Sequence, residues 1–156
     1  MPVSLSSEAL SLLNDDTAVK VLATVDGDGV PHAVVKQSLH AAADGHRIHY
    51  LELLETSATN RNLVRGLWYG GTVAITLVGS GGRSLQIKGR PVKNHITGPL
   101  FLEHYQRVRA LYGDVDLAGV WEIEADAVID QSIGARRTTE AARHPTFVHL
   151  DRIARA

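Results

Sequence analysis

Ser57, Thr59 and Arg61 place two hydroxyls and a guanidinium at alternate positions near the end of the stretch GHRIHYLELLETSATNRNL, residues 45–63. Hydroxyls and free backbone N–H groups at the start of a helix, with cations close by, make an anion site, and phosphate is its default ligand. Arg65 adds a second cation nearby. Lys36, followed by Gln37 and Ser38, and the pair Arg83 and Ser84 supply the same group types from separate segments. Set side by side by the fold, two or three charge-assisted hydrogen bonds of roughly 1.5–3 kcal/mol each would hold a phosphomonoester. Helix capping and solvated surface are the plain alternative for the same residues.

Other chemistries find less support. The chain has eight His, and His46 and His49 look like a chelating pair, but side chains three apart on a strand point to opposite faces. No metal site is expected. Glu52 with Glu55, and Glu122 with Glu124, sit among strand patterns where solvent exposure explains them, and no catalytic residue is assigned. The glycines at 79, 81 and 82 precede a strand pattern instead of a helix, so they read as a hairpin turn and not a dinucleotide fingerprint. Neither a P-loop nor a nucleophile elbow is present.

The elements that must position these groups are short. A helix is expected over 6–14 and a strand over 19–25. Asp26-Gly27-Asp28-Gly29 then turns the chain into a second strand over 30–39, with Pro31 tolerable only at its start. A strand follows over 47–53, then a short helix beginning near Thr59 with Leu63 and Leu67 on its apolar side. Strands are expected over 72–78 and 84–92, a helix over 98–112 with Phe101, Tyr105, Val108 and Tyr112 on one stripe, and strands over 117–123 and 127–133. Six or seven short strands joined by glycine turns argue for a mainly β, antiparallel barrel with flanking helices, and against a parallel array. Residues 136–156 hold five Arg against two acidic residues and read as an arm.

The chain has 156 residues, 44% of them apolar, enough for one core, so a single domain is expected: helix 1–16, barrel 18–132, arm 136–156. A net charge of -1 gives no general field for nucleic acid or anionic membrane. The lack of Cys, of a long apolar run and of a leader pattern points to a soluble cytoplasmic protein.

The order of VLATVDGDGVPHAVV (21–35), DGHRIHY (44–50), TSATNRNL (56–63), TVAITL (72–77) and RSLQIKGRPV (83–92) resembles the flavin-binding split barrels. That group includes pyridoxamine 5′-phosphate oxidase and the small bacterial FMN-binding proteins. The resemblance implies a homodimer with noncovalent FMN at two interface sites and a redox role. It implies that Lys36, Gln37 and Ser38 face the cofactor, and that Leu51, Glu52 and Leu53 run along the flavin ring. Ser57, Thr59 and Asn62 would bind phosphate, with Arg61 or Lys36 compensating for charge. Arg83 and Ser84 match the Arg-Gln pair of the oxidases, and Trp121 of the partner would cover the ring. Where the oxidases carry Ser-Arg-Lys, this chain has Ser57-Ala58-Thr59, closer to the simple FMN-binding proteins. Arg136-Arg137 does not match the oxidases' C-terminal substrate motif, so pyridoxine phosphate oxidation is not implied. Rival expectations are a deazaflavin-dependent reductase, a haem-binding or haem-degrading barrel in which one His ligates iron, and a non-catalytic flavin carrier or sensor.

Overall fold

The structure, a computed structural model, describes residues 1–146 of the chain. Seven strands, β1 (Val19–Val25), β2 (Pro31–Val35), β3 (His40–Ala41), β4 (Arg47–Glu52), β5 (Val73–Val78), β6 (Ser84–His95) and β7 (Gly119–Asp130), form one sheet. Their order is β2-β1-β5-β6-β7-β4-β3, and every pairing is antiparallel. Four helices flank it: α1 (Ser7–Leu13), α2 (Ala58–Tyr69), α3 (Pro99–Tyr112) and α4 (Ile133–Arg143). The mainly β split-barrel expectation is met, with seven strands.

Alternation drives the strands inward. In β5, Val73, Ile75 and Leu77 are buried between less buried neighbours, and in β1 Lys20, Leu22 and Thr24 point in while Val19 and Val25 face out. Strand β4 departs from this, with Ile48, His49 and Tyr50 all buried, so both of its faces are covered. Two register shifts, at Lys88/Gly89 and Pro91/Lys93, interrupt the long ladder between β6 and β7, and such bulges bend a sheet. A Cβ at Gly89 would lie 2.3 Å from the Glu124 carbonyl oxygen, so only glycine fits this crossing.

The two outermost strands, β2 and β3, are consecutive in the chain. Four residues, 36–39, join opposite edges of the sheet, which therefore has to curl into a half-barrel. This tether is held on both sides. The Lys36 amide donates to the Lys20 carbonyl (2.8 Å). Ser38 Oγ accepts from the Leu51 amide (3.1 Å) and donates to the Leu51 carbonyl (3.2 Å). Lys20 Nζ, almost fully buried, donates to the carbonyls of Leu13 (2.6 Å) at the end of α1 and of Leu39 (3.0 Å). A cation at a helix C-terminus also complements its dipole.

Several expected boundaries change. The strand expected over 30–39 stops at Val35, because the tether turns away to reach the other edge. The strands expected over 117–123 and 127–133 are one strand, β7: Arg90 pairs with both Glu124 and Asp126, so their charges do not interrupt it. On α3 the buried residues are His104 and Val108, whereas Tyr112 is 66% exposed. On α2, Leu63 is buried and Leu67 largely exposed. Part of the stretch expected as an arm is helix α4, which buries nothing, and residues 147–156 lie outside the described residues. Among the described residues, no helix is long and apolar enough to cross a membrane.

Candidate functional site

Beside the tether lies a cavity of about 890 Å³, bounded by the end of α1, by β4 and by the last turns of α3. Of the residues singled out in the sequence, Lys36, Gln37, Ser38, Leu51, Glu52 and Leu53 all line it. Its rim is apolar and exposed: Val35, Leu53, Leu54, Leu111 and Tyr112 are each between 42% and 69% accessible. Lys36 Nζ stands 5.4 Å from the centroid of the Tyr50 ring, a cation–π distance, and Tyr50 is sealed beneath it. Gln37 is committed to the barrel, its side chain accepting from the Lys20 amide and donating to the Ala18 carbonyl. Burial lowers the Lys20 ammonium below its ordinary pKa, opposed by Asp16 and Asp15.

The start of α2 is built differently from the expectation. Ser57 is the N-cap, accepting from the Asn60 amide at 2.9 Å. Its hydroxyl donates to Glu52 Oε2 (2.7 Å), which also accepts from Tyr50 Oη (2.7 Å), while Glu52 Oε1 accepts from the Leu54 amide (3.0 Å). Burial first, then the bond to Glu52, push the Tyr50 phenol far above its usual pKa, so it stays a donor. The anion held by Ser57 is thus a carboxylate of the chain itself, 2% exposed. This corrects the assignment of Ser57 to phosphate, while Glu52 stays with Leu51 and Leu53 in the wall of the cavity.

Thr59 is 1% exposed and its Oγ1 has no hydrogen-bond partner among the described residues, so it points into the protein and not at an external anion. Asn62 Nδ2 donates to Thr24 Oγ1 (2.9 Å). Asn62 also lines, with Arg61, Arg65 and His32, a second cleft of about 390 Å³ beside the Asp26 turn. Arg61 is exposed there and remains available to an anion. Arg83 and Ser84 line neither space: Arg83 lies 4.0 Å from Asp15, and Ser84 pairs with Val78 in the ladder. Trp121 is fully buried and its Nε1 donates to Asn60 Oδ1 (3.0 Å). A ring sealed in its own core cannot cover a ligand held by another subunit, which corrects that expectation.

A cluster of three histidines forms under α3. His40 of β3 and His49 of β4 are cross-strand partners, and His104 of α3 packs on both, with ring centroids 5.2–6.2 Å apart. Burial is the main reason that all three imidazoles are held below their usual pKa, His104 down to about 4. Beside them Glu122 accepts from Arg47 (2.6 Å) and His95 (2.9 Å), and its other neighbour His49 is 3.8 Å away. Burial works to raise the Glu122 carboxyl, but the hydrogen bonds from His95 and Arg47 hold it below the ordinary range. His46 stands apart from the cluster: it is exposed and contacts Ser4. The cluster was missed because its members are far apart in sequence. The one local signal was a hairpin centred on Asp44-Gly45, which sets residues 40 and 49 opposite each other.

No protein-family model and no curated protein matches the sequence. Solved structures share its fold. HupZ of Group A Streptococcus matches with a TM-score of 0.67 at 18% identity, over 83% of this chain and 95% of that one. An FMN-binding protein of Syntrophomonas wolfei subsp. wolfei matches at 0.63 and 13%, over 80% and 84%. HutZ of Vibrio cholerae, described as a heme storage protein, matches at 0.56 and 14%, over 82% and 95%. A protein named F420 reductase is among the further matches. What the chain shares with these structures is the fold, a curled antiparallel half-barrel with flanking helices.

Proposed function

We propose that the chain is a flavoprotein, binding FMN noncovalently in the cavity beside the tether and acting as an oxidoreductase. The observation that carries this reading is the convergence of Lys36, Gln37, Ser38, Leu51 and Leu53 on one large cavity in a fold shared with an FMN-binding protein. Its volume lies within the usual range of ligand sites, and its walls mix apolar surface with a few polar groups. Negative charge on the cofactor would be met by Lys36, because Glu52 already occupies the donors of Ser57 and Leu54. A bound flavin supplies hydride or electron transfer, and the chain's part is to orient it and set its polarity.

The exposed apolar rim supports a homodimer in which a second subunit closes the cavity, since contiguous exposed apolar surface marks an interaction site. Fluorescence titration with FMN, riboflavin and a deazaflavin, followed by native mass spectrometry, tests the reading. FMN should bind one per subunit of a dimer, and Lys36→Met should weaken FMN by more than about tenfold, the equivalent of one lost charge-assisted bond. Tighter binding of the deazaflavin would reassign the cofactor. Failure of every flavin to bind would overturn the proposal.

One observation favours a second reading. His40 lines the same cavity, and the haem-storage protein HutZ shares the fold. A haem there would give a Soret band that His40→Gln abolishes.

A further inference from the structure

His40, His49 and His104 each offer a ring nitrogen, and the three nitrogens all lie within 4.8 Å of one another. We infer that these three histidines bind one divalent transition-metal ion of the zinc class, at a site that shares His40 with the wall of the cavity beside the tether but does not require a flavin in it.

The geometry needs little change. Zinc–imidazole bonds of roughly 2.0–2.1 Å place ligand nitrogens about 3.3 Å apart around a tetrahedral ion. Drawing a triangle of 4.8 Å sides in to that size moves each corner by less than about 1 Å. The rings come from three elements, so such shifts need side-chain torsion and a slight approach of α3, not a rearranged strand.

Two details point to a ligand instead of a packed aromatic cluster. His104 Nδ1 is buried with no hydrogen-bond partner among the described residues, and a buried nitrogen left without one is costly unless something else meets it. His40 Nδ1 lies 2.7 Å from the Ser38 carbonyl oxygen, which can only accept. Its Nδ1 therefore carries the proton and its Nε2 presents a lone pair. This is the outer-shell arrangement of a metal-bound histidine, with one ring nitrogen donating to a carbonyl and the other free to ligate. Glu122, 3.8 Å from His49, stands where it would support a second ligand in the same way.

Charges of both signs face the cluster: Arg107 and Lys20 oppose a cation there, and Glu103, Glu122 and Asp44 favour one. Three neutral imidazoles leave the fourth tetrahedral position to water or an anion, the pattern of an exchangeable site and not of a closed structural one. Binding would also fasten α3, whose buried residues are otherwise Val108 alone, to the β3–β4 hairpin.

The test uses the full chain, stripped with a chelator and free of flavin and haem, so that its result does not depend on the cofactor reading. Titration with Co(II) should give the visible bands of a tetrahedral site saturating at one ion per chain, displaced by Zn(II), with a rise in melting temperature. His40→Gln and His104→Gln should each weaken binding by more than about 100-fold, since loss of a ligand outweighs loss of a supporting group. The exposed His46→Gln should bind as the parent does. Because His104 is buried and its replacement could unfold the chain, half-buried His40 carries the decision. Absence of tetrahedral bands, or saturable binding that His40→Gln leaves intact, would overturn the inference.

Discussion

The start of α2 and the histidine cluster under α3 are both buried polar groups at the edge of the barrel, yet they are finished in opposite ways. Around Ser57 every buried side-chain polar group among the described residues except Thr59 Oγ1 has a partner inside the chain: Ser57, Tyr50 and the Leu54 amide converge on Glu52, Asn60 on Trp121, and Asn62 on Thr24. Under α3 the imidazoles touch mainly one another, and one nitrogen is left without a partner. A region whose donors are already met is a structural joint. A region with unmet lone pairs has capacity for an ion.

Breaking the first region should cost most. Glu52→Ala strips the acceptor from Tyr50, Ser57 and Leu54 at once, and each donor left buried costs about 1–3 kcal/mol, so a loss of roughly 3–5 kcal/mol is expected in chemical denaturation. A change under 1 kcal/mol would mean that Glu52 does not organise this joint.

The second region is tested by acid. In metal-free protein His104 titrates near 4 when folded against about 6.5 when unfolded. The unfolded chain therefore binds more protons between those values. Stability should be level above pH 6.5 and fall as the pH drops toward 4, by about 3 kcal/mol from this residue, with His40 and His49 acting in the same direction. A flat stability profile over that window would show that the cluster is not neutral in the folded state.

Smaller effects refine the contrast at α2. Ser57→Ala removes the cap and one of the bonds to Glu52 and should cost about 1–2 kcal/mol in urea unfolding. Thr59→Val removes the hydroxyl that has no partner, and should stabilise by up to about 1 kcal/mol. If Thr59→Val instead weakens FMN binding, that hydroxyl does reach the cofactor and the burial argument is wrong.

What the sequence made legible followed short-range rules. Strand β1 is found over the expected residues because alternation and the Asp26-Gly27-Asp28-Gly29 turn fix both ends, the Asp26 carboxylate accepting from the amides of Asp28 and Val30. Capping residues located the start of α2. Their partner was not legible: that Glu52 folds back onto Ser57 depends on where β4 ends, which spacing alone does not give. Strand β7 was read as two because Glu124 and Asp126 look like a break until Arg90 is known to lie across from them. The histidines required a register between β3 and β4 and the docking of α3, both long-range.

The tether at 36–39 gives the barrel a mechanical property. Since it links the sheet's two free borders, the sheet cannot unroll without pulling Ser38 off Leu51 and Leu39 off the Lys20 ammonium, so cavity width and sheet curvature change together. A cut between Gln37 and Ser38 would release that hoop while leaving every strand pairing of the sheet in place.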